Sequence, residues 1–533
     1  MNRKTLVLPT VAGLLAPPAR RVWRERGDGR ARAMPSSSAP PTGSRRPPTR
    51  LAPFDPAVAY DIGAWNVLHS TFQTLLRLPR SGTAPVADAA EKCTFGDRRN
   101  EQFRCTLRKG LKFSNGHALT AEDVKFSIDR ALAINFENGP VSLLSNIDKV
   151  ETPSELEVVF HLKSPDATFP QKLTTPAAAI LDSESYDKNK LGNGFKVVGS
   201  GPYTLKTEEK DGRVTKATFT KNSDYQGSVK LQNDKVEMRF FDDSASMEKA
   251  LKNGDIDIMN RALLPEQIAR LRSTMDQSVR LLESPGQEIS YLAFNTDDST
   301  VKSKAVRQAV AQLVDRQALT RDDYNRTSEP LYSLVPSGIT GHQNSFSNKY
   351  GDPSTDKARA ILRGASITAP VPLTLTYTTD HYGETTGKAF QTLQKQLNAS
   401  GLFDAKVQGV KWSDFRPEAA KGKYAVYGMG WFPDFPDPDN FVAPFIGKDN
   451  FLRSPYRNAK ISNELIPDSR ESSQRDSAAK YFQQAEDIIA DEVPVLPLWQ
   501  GKQYVAVRDK VTGAEWALNS ASELQPWELG RGV

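Results

Sequence analysis

The stretch LRKGLKFSNGHALTAEDV, residues 107–124, contains the signals of a strand, a turn and a helix in succession. Apolar and polar side chains alternate over residues 105–113, which predicts a β-strand. Residues 114–117 (Ser-Asn-Gly-His) predict a turn. Thr120 and the two acids that follow it predict a helix N-terminus. A Thr side chain there can accept a hydrogen bond from a free backbone N–H, and acidic side chains are stabilised by the positive end of the helix dipole. The apolar face of this helix is formed by Val124, Ile128 and Leu132.

The alternation of strand and helix patterns continues along the rest of the chain. Further strands are predicted at residues 72–78, 150–162, 236–241, 256–258, 291–296, 373–377, 424–429 and 493–499, and further helices at residues 246–251, 303–319, 388–397 and 478–489. Strands that alternate with helices pack as α/β layers. Since 533 residues exceed what one core normally holds, we expect two or three α/β lobes.

Composition and charge exclude several classes of protein. Hydrophobic residues make up 38% and charged residues 25%, as in soluble globular proteins, and no apolar run of about 18 residues predicts a membrane span. The net charge of +6 comes from the N-terminal region. Nine arginines against two acids in residues 17–50 give a surplus of seven and Arg3 and Lys4 add two, so residues 51–533 carry −3. A nucleic-acid partner, which would require a basic domain surface, is therefore not expected.

The first 50 residues read as a leader rather than as part of a lobe. A basic start followed by the apolar residues 5–16 is typical of a secretory signal. The next residues contain no small-residue box that ends in Cys, so the lipid-acceptor cysteine of a lipoprotein is absent. Residues 17–50 are rich in Arg, Pro and Ser without apolar periodicity, which predicts disorder.

The two cysteines, Cys93 and Cys105, lie twelve positions apart in a strand–turn–strand pattern. A hairpin would place them opposite each other, and an oxidising compartment would then join them in a disulfide. The alternative is a pair of unrelated buried thiols. The five histidines are scattered, so neither a metal site nor a cofactor is predicted.

Four stretches together resemble the family 5 extracellular solute-binding proteins of ABC importers. They are residues 107–124, the turn at 199–203, the strand and helix at 291–295 and 306–310, and the loop formed by Gly430, Trp431, Asp434 and residues 437–441. The resemblance covers about residues 51–533, and the four stretches occur in the family's order.

The resemblance implies an α/β, type II periplasmic-binding-protein fold with two lobes, a hinge and a smaller inserted lobe. The first lobe would comprise residues 51–82, 190–285 and 500–533, the inserted lobe residues 83–189, and the third lobe residues 286–499. Ligand would bind between the first and third lobes, which close on it by hinge motion.

The resemblance also implies a ligand site. Asp434 corresponds to the acid that meets the α-ammonium of a peptide in dipeptide-binding members, and Trp431 and Phe432 would wall the pocket. Gly430 and Asn295 would offer backbone contacts. The alternative for Asp434 is a turn cap, because Asp commonly caps turns beside Pro. Asp437 and Asp439 are expected to be structural.

The carboxylate partner of a peptide cannot be read from a motif. Arg307 lies on a predicted helix that it would cap, whereas Arg416 and Lys423 flank the predicted strand at residues 424–429 without a motif of their own.

The implied function is the substrate-binding component of an ABC transporter that captures di- to oligopeptides. The protein would be exported, monomeric and, as in the family, lipid-anchored, with the ABC permease subunits as partners. A nickel chelate, haem, an opine or a sugar could be the ligand instead, or the protein could be a peptide-sensing receptor. An enzyme is not expected, because nucleophile-elbow, phosphate-loop, dinucleotide and zinc-protease motifs are absent.

Overall fold

The computed structural model describes residues 6–11 and 54–532, apart from residues 138, 193, 211–212, 242, 261–262, 274–277 and 449. The strands are β1 Leu6–Val11, β2 Leu76–Arg77, β3 Val86–Ala87, β4 Ala90–Phe95, β5 Gln102–Leu107, β6 Ile147–Ser154, β7 Glu157–Leu162, β8 Tyr203–Lys210, β9 Arg213–Lys221, β10 Lys235–Phe241, β11 Ile258–Asn260, β12 Val279–Phe294, β13 Ser328–Pro330, β14 Val371–Thr378, β15 Phe403–Val410, β16 Val426–Trp431, β17 Val495–Arg508, β18 Val511–Thr512 and β19 Gly530–Arg531.

The helices lie between these strands, as the alternating pattern predicts. They are α1 Ile62–Thr71, α2 Ala121–Ile134, α3 Phe169–Lys172, α4 Ser244–Asn253, α5 Pro265–Ser273, α6 Lys304–Leu313, α7 Arg316–Ala318, α8 Ser345–Tyr350, α9 Thr355–Gly364, α10 Thr385–Ala399, α11 Trp412–Ala420, α12 Asp439–Ile446, α13 Ile466–Glu471 and α14 Ala479–Glu492. Among the described residues, no helix is long and apolar enough to cross a membrane.

Three sheets carry the architecture. The largest has the order β11-β17-β12-β16-β14-β15, with β13 pairing β17. A second has the order β4-β5-β7-β6 and a third the order β1-β10-β9-β8. In the third sheet, β1 pairs in parallel with β10, so Leu6–Val11 of the predicted signal segment is an edge strand here. The predictions for the rest of residues 1–50 lie outside the described residues.

Two main apolar cores form on these sheets. One, here called the N-terminal core, joins buried residues between 54 and 258 with residues 505–529. The other, the large-sheet core, consists of residues between 289 and 498. Residues 505–529 therefore return to the core that residues 54–258 form, and the predicted lobes and their boundaries remain predictions.

The long strands β12 and β17 connect the two cores. Residues 279–285 of β12 pair with residues 502–508 of β17, and residues 289–293 pair with residues 495–500. The register shifts between Pro285 and Ile289, where Gly286 lies so close to the neighbouring strand that an added Cβ would stand 2.5 Å from the Gly501 carbonyl oxygen. The ladder is therefore interrupted where the chain passes from one core to the other.

The strand–turn–helix motif at residues 107–124 is present with one change. Helix α2 is capped as predicted, since the backbone N–H of Thr120 donates to Asp123 Oδ2 at 2.9 Å. The strand ends at Leu107 rather than near residue 113. Gly110 has a φ of 75°, a left-handed conformation that turns the chain out of the ladder.

The predicted helix at residues 303–319 is also shorter than expected. Helix α6 ends at Leu313, because Val314 is extended. The Asp315 side chain then accepts a hydrogen bond from the Ala318 N–H at 2.9 Å and caps the separate helix α7. Apolar periodicity alone does not reveal such an internal cap.

The structure joins Cys93 and Cys105 in a disulfide, and the two residues are direct partners in the β4–β5 pair. This is the arrangement that the hairpin pattern predicts.

Candidate functional site

The candidate loop, residues 432–438, follows strand β16. This strand lies between β12 and β14 in the large sheet, and Trp431 at its end pairs with Ile289 of β12. Residues 432–438 then leave the sheet, and α12 begins at Asp439. Three prolines, at positions 433, 436 and 438, restrict the backbone of this loop. A restricted loop lowers the entropy lost when a ligand orders it.

The Asp434 side chain lies buried in this loop, with 5% of its surface exposed. Its Oδ2 accepts hydrogen bonds from Asn440 Nδ2 at 2.9 Å and from the Tyr60 hydroxyl at 3.2 Å. Within the described part of the chain, Oδ1 has no hydrogen-bond partner. One carboxylate oxygen is therefore fixed by the protein and the other remains available as an acceptor.

Asn440 holds the loop in this geometry. Its Oδ1 accepts the Asp434 backbone N–H at 2.8 Å and the Trp431 indole N–H at 3.3 Å, while its Nδ2 donates to the Asp434 carboxylate. One side chain thus connects the end of β16, the loop and the start of α12. Asn440 lies in the stretch 437–441 that resembles the family's ligand loop, but the sequence did not predict its role.

Burial raises the pKa of the Asp434 carboxyl to about 6, because the carboxylate loses the solvation that stabilises its charge. The hydrogen bonds from Asn440 and Tyr60 and the charge of Lys172 act in the opposite direction but do not compensate for burial. A buried carboxylate in this condition favours a cationic partner.

Tyr60 contributes to the site from the opposite core. It precedes α1 and packs against Trp65 with ring centroids 5.6 Å apart, and Trp65 belongs to the N-terminal core. Burial and the neighbouring Asp434 raise the Tyr60 pKa well above its ordinary value. The phenol is therefore a neutral hydrogen-bond donor at neutral pH. No sequence signal identified this residue.

Asp437 and Asp439 occupy structural ion pairs. Asp437 is bound by Arg475 through contacts of 2.7 and 2.8 Å, and Asp439 by Arg470 through contacts of 3.1 and 2.9 Å. Both acids are buried. Their carboxylates are already neutralised, in contrast to that of Asp434.

The three residues before the loop prolines differ in their contacts; they are Gly430, Trp431 and Phe432. The Trp431 ring is buried between Phe445 and Phe451, at centroid distances of 5.4 and 5.1 Å. The Gly430 carbonyl accepts the Tyr382 hydroxyl at 3.3 Å, and a Cβ on Gly430 would stand 2.9 Å from the Tyr382 ring. Phe432 is half-buried beside Trp431. All three residues are close to Asp434 in the chain, and their roles in binding a ligand remain predictions.

Asn295 does not join this group. It follows the opposite end of β12, where Phe294 pairs with Val426, whereas Trp431 pairs with Ile289. Its side chain donates to the Gly422 carbonyl at 2.9 Å and accepts the Asp297 N–H at 3.2 Å, which stabilises a turn. The resemblance placed Asn295 in the ligand site, whereas the structure places it after the end of β12 that lies away from Trp431 and Asp434.

Of the three basic residues considered, Arg307 and Lys423 have structural partners. Arg307 is buried and donates to the carbonyls of residues 301, 302, 492 and 493. Lys423 pairs with Glu418 at 2.6 Å on the surface. Arg416 lies on α11, half-buried, with its guanidinium carbon 3.9 Å from the Phe451 ring centroid.

Further contacts join the cores beside this loop. Phe435, directly after Asp434, is 1% exposed and packs in the N-terminal core although it belongs to the large-sheet loop. Asn100 Nδ2 donates to the Glu471 carbonyl at 2.9 Å, and its Oδ1 accepts the Ser473 hydroxyl at 2.7 Å. The Ala167 N–H donates to the Arg470 carbonyl at 2.7 Å. The described conformation is therefore one in which the two cores are in contact.

Residues 84–452 match the model of the family described as bacterial extracellular solute-binding proteins, family 5 Middle. The chain is 27% identical over 474 residues to the probable D,D-dipeptide-binding periplasmic protein DdpA of Escherichia coli, covering 86% of this chain and 88% of the relative. It is 26% identical over 475 residues to the Escherichia coli dipeptide-binding protein, covering 83% and 86%.

Solved structures show the same fold. The periplasmic binding protein DppA of Helicobacter pylori, in complex with the peptide STSA, superposes with a TM-score of 0.77 at 22% identity, covering 90% of this chain and 96% of that one. AgaA of A. tumefaciens R10, in complex with agropinic acid, superposes with a TM-score of 0.73 at 25% identity, covering 89% and 94%.

Proposed function

This chain belongs to family 5 of the bacterial extracellular solute-binding proteins, and from this premise we propose that it captures short peptides between its two cores through Asp434. Its fold class is the predicted one, since periplasmic binding proteins superpose on nearly the whole chain. The protein is the substrate-binding component of an ABC importer, and peptides are the ligand class that the relatives' names and the site chemistry favour.

The observation that carries the proposal is the buried Asp434 carboxylate with one acceptor oxygen left open. An isolated buried charge is costly, and the raised pKa of Asp434 reflects that cost in the ligand-free protein. A peptide α-ammonium would neutralise the carboxylate and donate to Oδ1. Because this partner is absent from a ligand with a blocked N-terminus, the site selects for a free amine.

Closure of the two cores completes the site. Tyr60 reaches Asp434 from the N-terminal core, so the acceptor geometry depends on the cores being together. We place the hinge at the register shift of the β12–β17 ladder between Pro285 and Ile289, because the chain passes from one core to the other there. A ligand that contacts both cores stabilises the closed form.

The remaining expectations follow the family. Members are extracellular, so this chain is exported, and its partners are the ABC permease subunits that receive the closed form. Family members are substrate-binding proteins rather than enzymes. Lipid anchoring and a monomeric state remain predictions; the two cysteines of the chain are joined to each other.

A thermal-shift screen of the full chain tests the proposal. Di-, tri- and tetra-alanine and Ala-Phe are compared with their N-acetylated forms, and nickel chelates, haem, oligosaccharides and opines form a second panel. A ligand at about 100 times its Kd adds roughly 2.7 kcal/mol to the free energy of unfolding, which raises the melting temperature visibly. Stabilisation by free peptides that N-acetylation removes supports peptide capture. Stabilisation by the second panel alone would replace the ligand class.

A further inference from the structure

Lys172 is a buried cation at the end of α3. Only 7% of its surface is exposed, and its Nζ donates to Asp166 Oδ2 at 2.6 Å. Asp166 is fully buried, and its Oδ1 accepts hydrogen bonds from the backbone N–H and the hydroxyl of Thr168. The ammonium is therefore fixed in position by an acid that its own segment holds in place.

The segment that contains this pair lies against the candidate loop. The Ala167 N–H donates to the Arg470 carbonyl at 2.7 Å, which joins the segment to α13 on the large-sheet side. Phe435 of the loop is buried in the N-terminal core together with Phe169 of α3. Two separate contacts thus bring α3 beside the loop that carries Asp434.

The charge of Lys172 acts on the Asp434 carboxyl without a direct bond. Burial raises the pKa of Asp434, whereas hydrogen bonds from Asn440 and Tyr60 and the charge of Lys172 lower it. The hydrogen bonds and ion pairs of the described residues do not join the two side chains, and Lys172 Nζ is bound to Asp166 instead. Lys172 therefore favours the ionised acid and leaves Oδ1 of Asp434 available to a ligand.

Asp166 remains ionised over the pH range in which Asp434 takes up a proton. Burial alone would raise the pKa of Asp166, but the charges of Lys172 and Arg470 and the hydrogen bonds from Lys172 and Thr168 lower it to about 2. A proton that enters this region near pH 6 therefore goes to Asp434. The other charged and titratable groups around the two acids are Tyr60, Arg416, Asp437, Asp439, Arg470 and Arg475.

We infer that Lys172 is a positioning residue of the ammonium site, a fixed positive charge on the opposite core that prepares Asp434 for a peptide α-ammonium without contacting the peptide. The inference rests on the proposed function and adds to it a residue on which its pH range depends. Contact between the cores buries the acid, which disfavours its charge, and a nearby cation offsets that effect. The buried site can then receive an ammonium at neutral pH.

Isothermal titration of the full chain with tri-alanine between pH 4.5 and 7.5 tests the assignment. The peptide keeps both terminal charges in this range, because its α-carboxyl has a pKa of about 3.5 and its α-amino group one of about 8. The pH at which the affinity falls to half of its maximum, here called the midpoint, gives the pKa of Asp434 in the ligand-free protein. Titrations of N-acetyl-tri-alanine and of Asp434→Asn identify the part of the pH dependence that comes from this acid.

The variants separate the charge of Lys172 from its structural role. They are Lys172→Met, Lys172→Arg, Asp166→Asn and the double variant Lys172→Met/Asp166→Asn. Lys163→Met is the matched control, because it removes an exposed lysine from the segment before α3, where Nζ donates to the Ser145 carbonyl. Melting temperatures report whether each variant folds. The double variant removes both partners of the buried pair, so it keeps the test open if Lys172→Met does not fold.

We expect a midpoint near 6 in the parent, in Lys172→Arg and in Lys163→Met. It should rise by roughly one pH unit in Lys172→Met, because the cation that offsets burial is lost, and by less in the double variant. Asp166→Asn leaves the charge of Lys172 uncompensated, so its midpoint should fall below that of the parent. Opposite shifts for the two partners of one ion pair are the signature of a charge effect.

Equal midpoints in Lys172→Met and the parent would overturn the inference, while binding that N-acetylation removes would keep the proposed function. A rise in Asp166→Asn as large as that in Lys172→Met would also overturn it, because loss of the pair rather than of the positive charge would then explain the shift. A parent that binds neither form of tri-alanine would remove the proposed function and this inference together.

Discussion

The Tyr60 hydroxyl donates to Oδ2 of Asp434 across 374 positions of the chain, at 3.2 Å. This bond connects a residue at the start of the N-terminal core with a loop of the large-sheet core. It fixes one carboxylate oxygen and leaves the other for a ligand. This acceptor geometry therefore requires the two cores to be in contact.

Replacement of Asp434 by Asn should remove the preference for a free N-terminus. The amide can still accept from Asn440 but cannot neutralise an ammonium. A hydrogen bond to a charged group contributes about 1.5–3 kcal/mol, so we expect free-peptide affinity to fall by roughly 10- to 150-fold toward that of the N-acetylated peptide. Isothermal titration of both peptide forms measures this ratio.

Asp437→Asn is the matched control on the same loop. It leaves Arg475 buried without its carboxylate, and breaking a buried pair costs about 3–5 kcal/mol of unfolding free energy. The ratio between free and acetylated peptide should nevertheless stay as in the parent. If the preference for the free peptide were lost in Asp437→Asn but kept in Asp434→Asn, the ammonium would bind Asp437, and its assignment to Asp434 would be wrong.

Peptide affinity should decrease as the pH falls through about 6. The pKa of Asp434 is raised to about 6 in the ligand-free protein, and an ammonium partner would lower it in the complex. The peptide therefore binds the ionised form, and below pH 6 its affinity falls by about tenfold per pH unit until the pKa of the complex is reached. Titrations between pH 4.5 and 8 should show this slope in the parent and a flat profile in Asp434→Asn.

The same pKa predicts the stability of the ligand-free protein. Because the folded-state pKa lies above the unfolded value of 3.8, the contribution of Asp434 is fully present below pH 3.8 and is lost as the pH rises through 6. Asp434→Asn should therefore raise the unfolding free energy above pH 6, by at most roughly 3 kcal/mol, and have little effect at pH 4. Denaturant titrations at pH 4 and pH 8 measure the two unfolding free energies. A variant that is less stable than the parent at pH 8 would contradict the prediction.

Asn100→Gly should weaken the contact between the cores. Asn100 has a φ of 59°, which glycine adopts freely, so the exchange removes the side-chain bonds to Glu471 and Ser473 and preserves the backbone. We expect peptide dissociation, measured by stopped flow, to accelerate roughly 3- to 30-fold, as for the loss of one or two hydrogen bonds.

The control for this variant is Asn135→Gly. Asn135 ends α2 with a φ of 42°, and its exposed side chain makes no hydrogen bond with another described residue. Dissociation from this variant should match the parent. Equal rates in Asn100→Gly and Asn135→Gly would show that the Asn100 contacts do not stabilise the closed form.

Removal of the Cys93–Cys105 disulfide should lower the stability of the protein without changing which ligands it binds. The two cysteines are separated by 12 positions, and closing a loop of this size restricts the unfolded chain by roughly 3 kcal/mol. The double variant Cys93→Ser/Cys105→Ser should therefore have a lower melting temperature, and so should the reduced parent. Dithiothreitol should leave the double variant unchanged; a parent that does not respond to reduction would refute a stabilising bond.

The sequence was most informative about local structure. The Thr120 cap with its two acids predicted the start of α2, and alternation predicted strands such as residues 236–241, found as β10. It was least informative where a local cap or a glycine overrides periodicity. Val314 is extended and Asp315 caps a separate helix where apolar spacing predicts one continuous helix, and Gly110 turns the chain away where alternation predicts that the strand continues.

In the candidate site, too, the sequence predicted the local arrangement better than the contacts between distant segments. Asp434, Trp431 and Asn440 lie within ten positions, so one motif brought them together and local loop geometry keeps them together. Asn295 shows the limit, because a strand pattern identifies the strand but not which of its ends lies beside Asp434.

By itself, the sequence determined the α/β class and the family and predicted the acid of the proposed site, because these depend on short-range spacing and on residues that are neighbours in the chain. Only the tertiary structure decided that Tyr60 donates to Asp434 and that Asp437 and Asp439 are already paired, whereas Arg416 has no ionic partner among the described residues. Charge pairing and burial depend on which distant segments meet, and no local pattern contains that information.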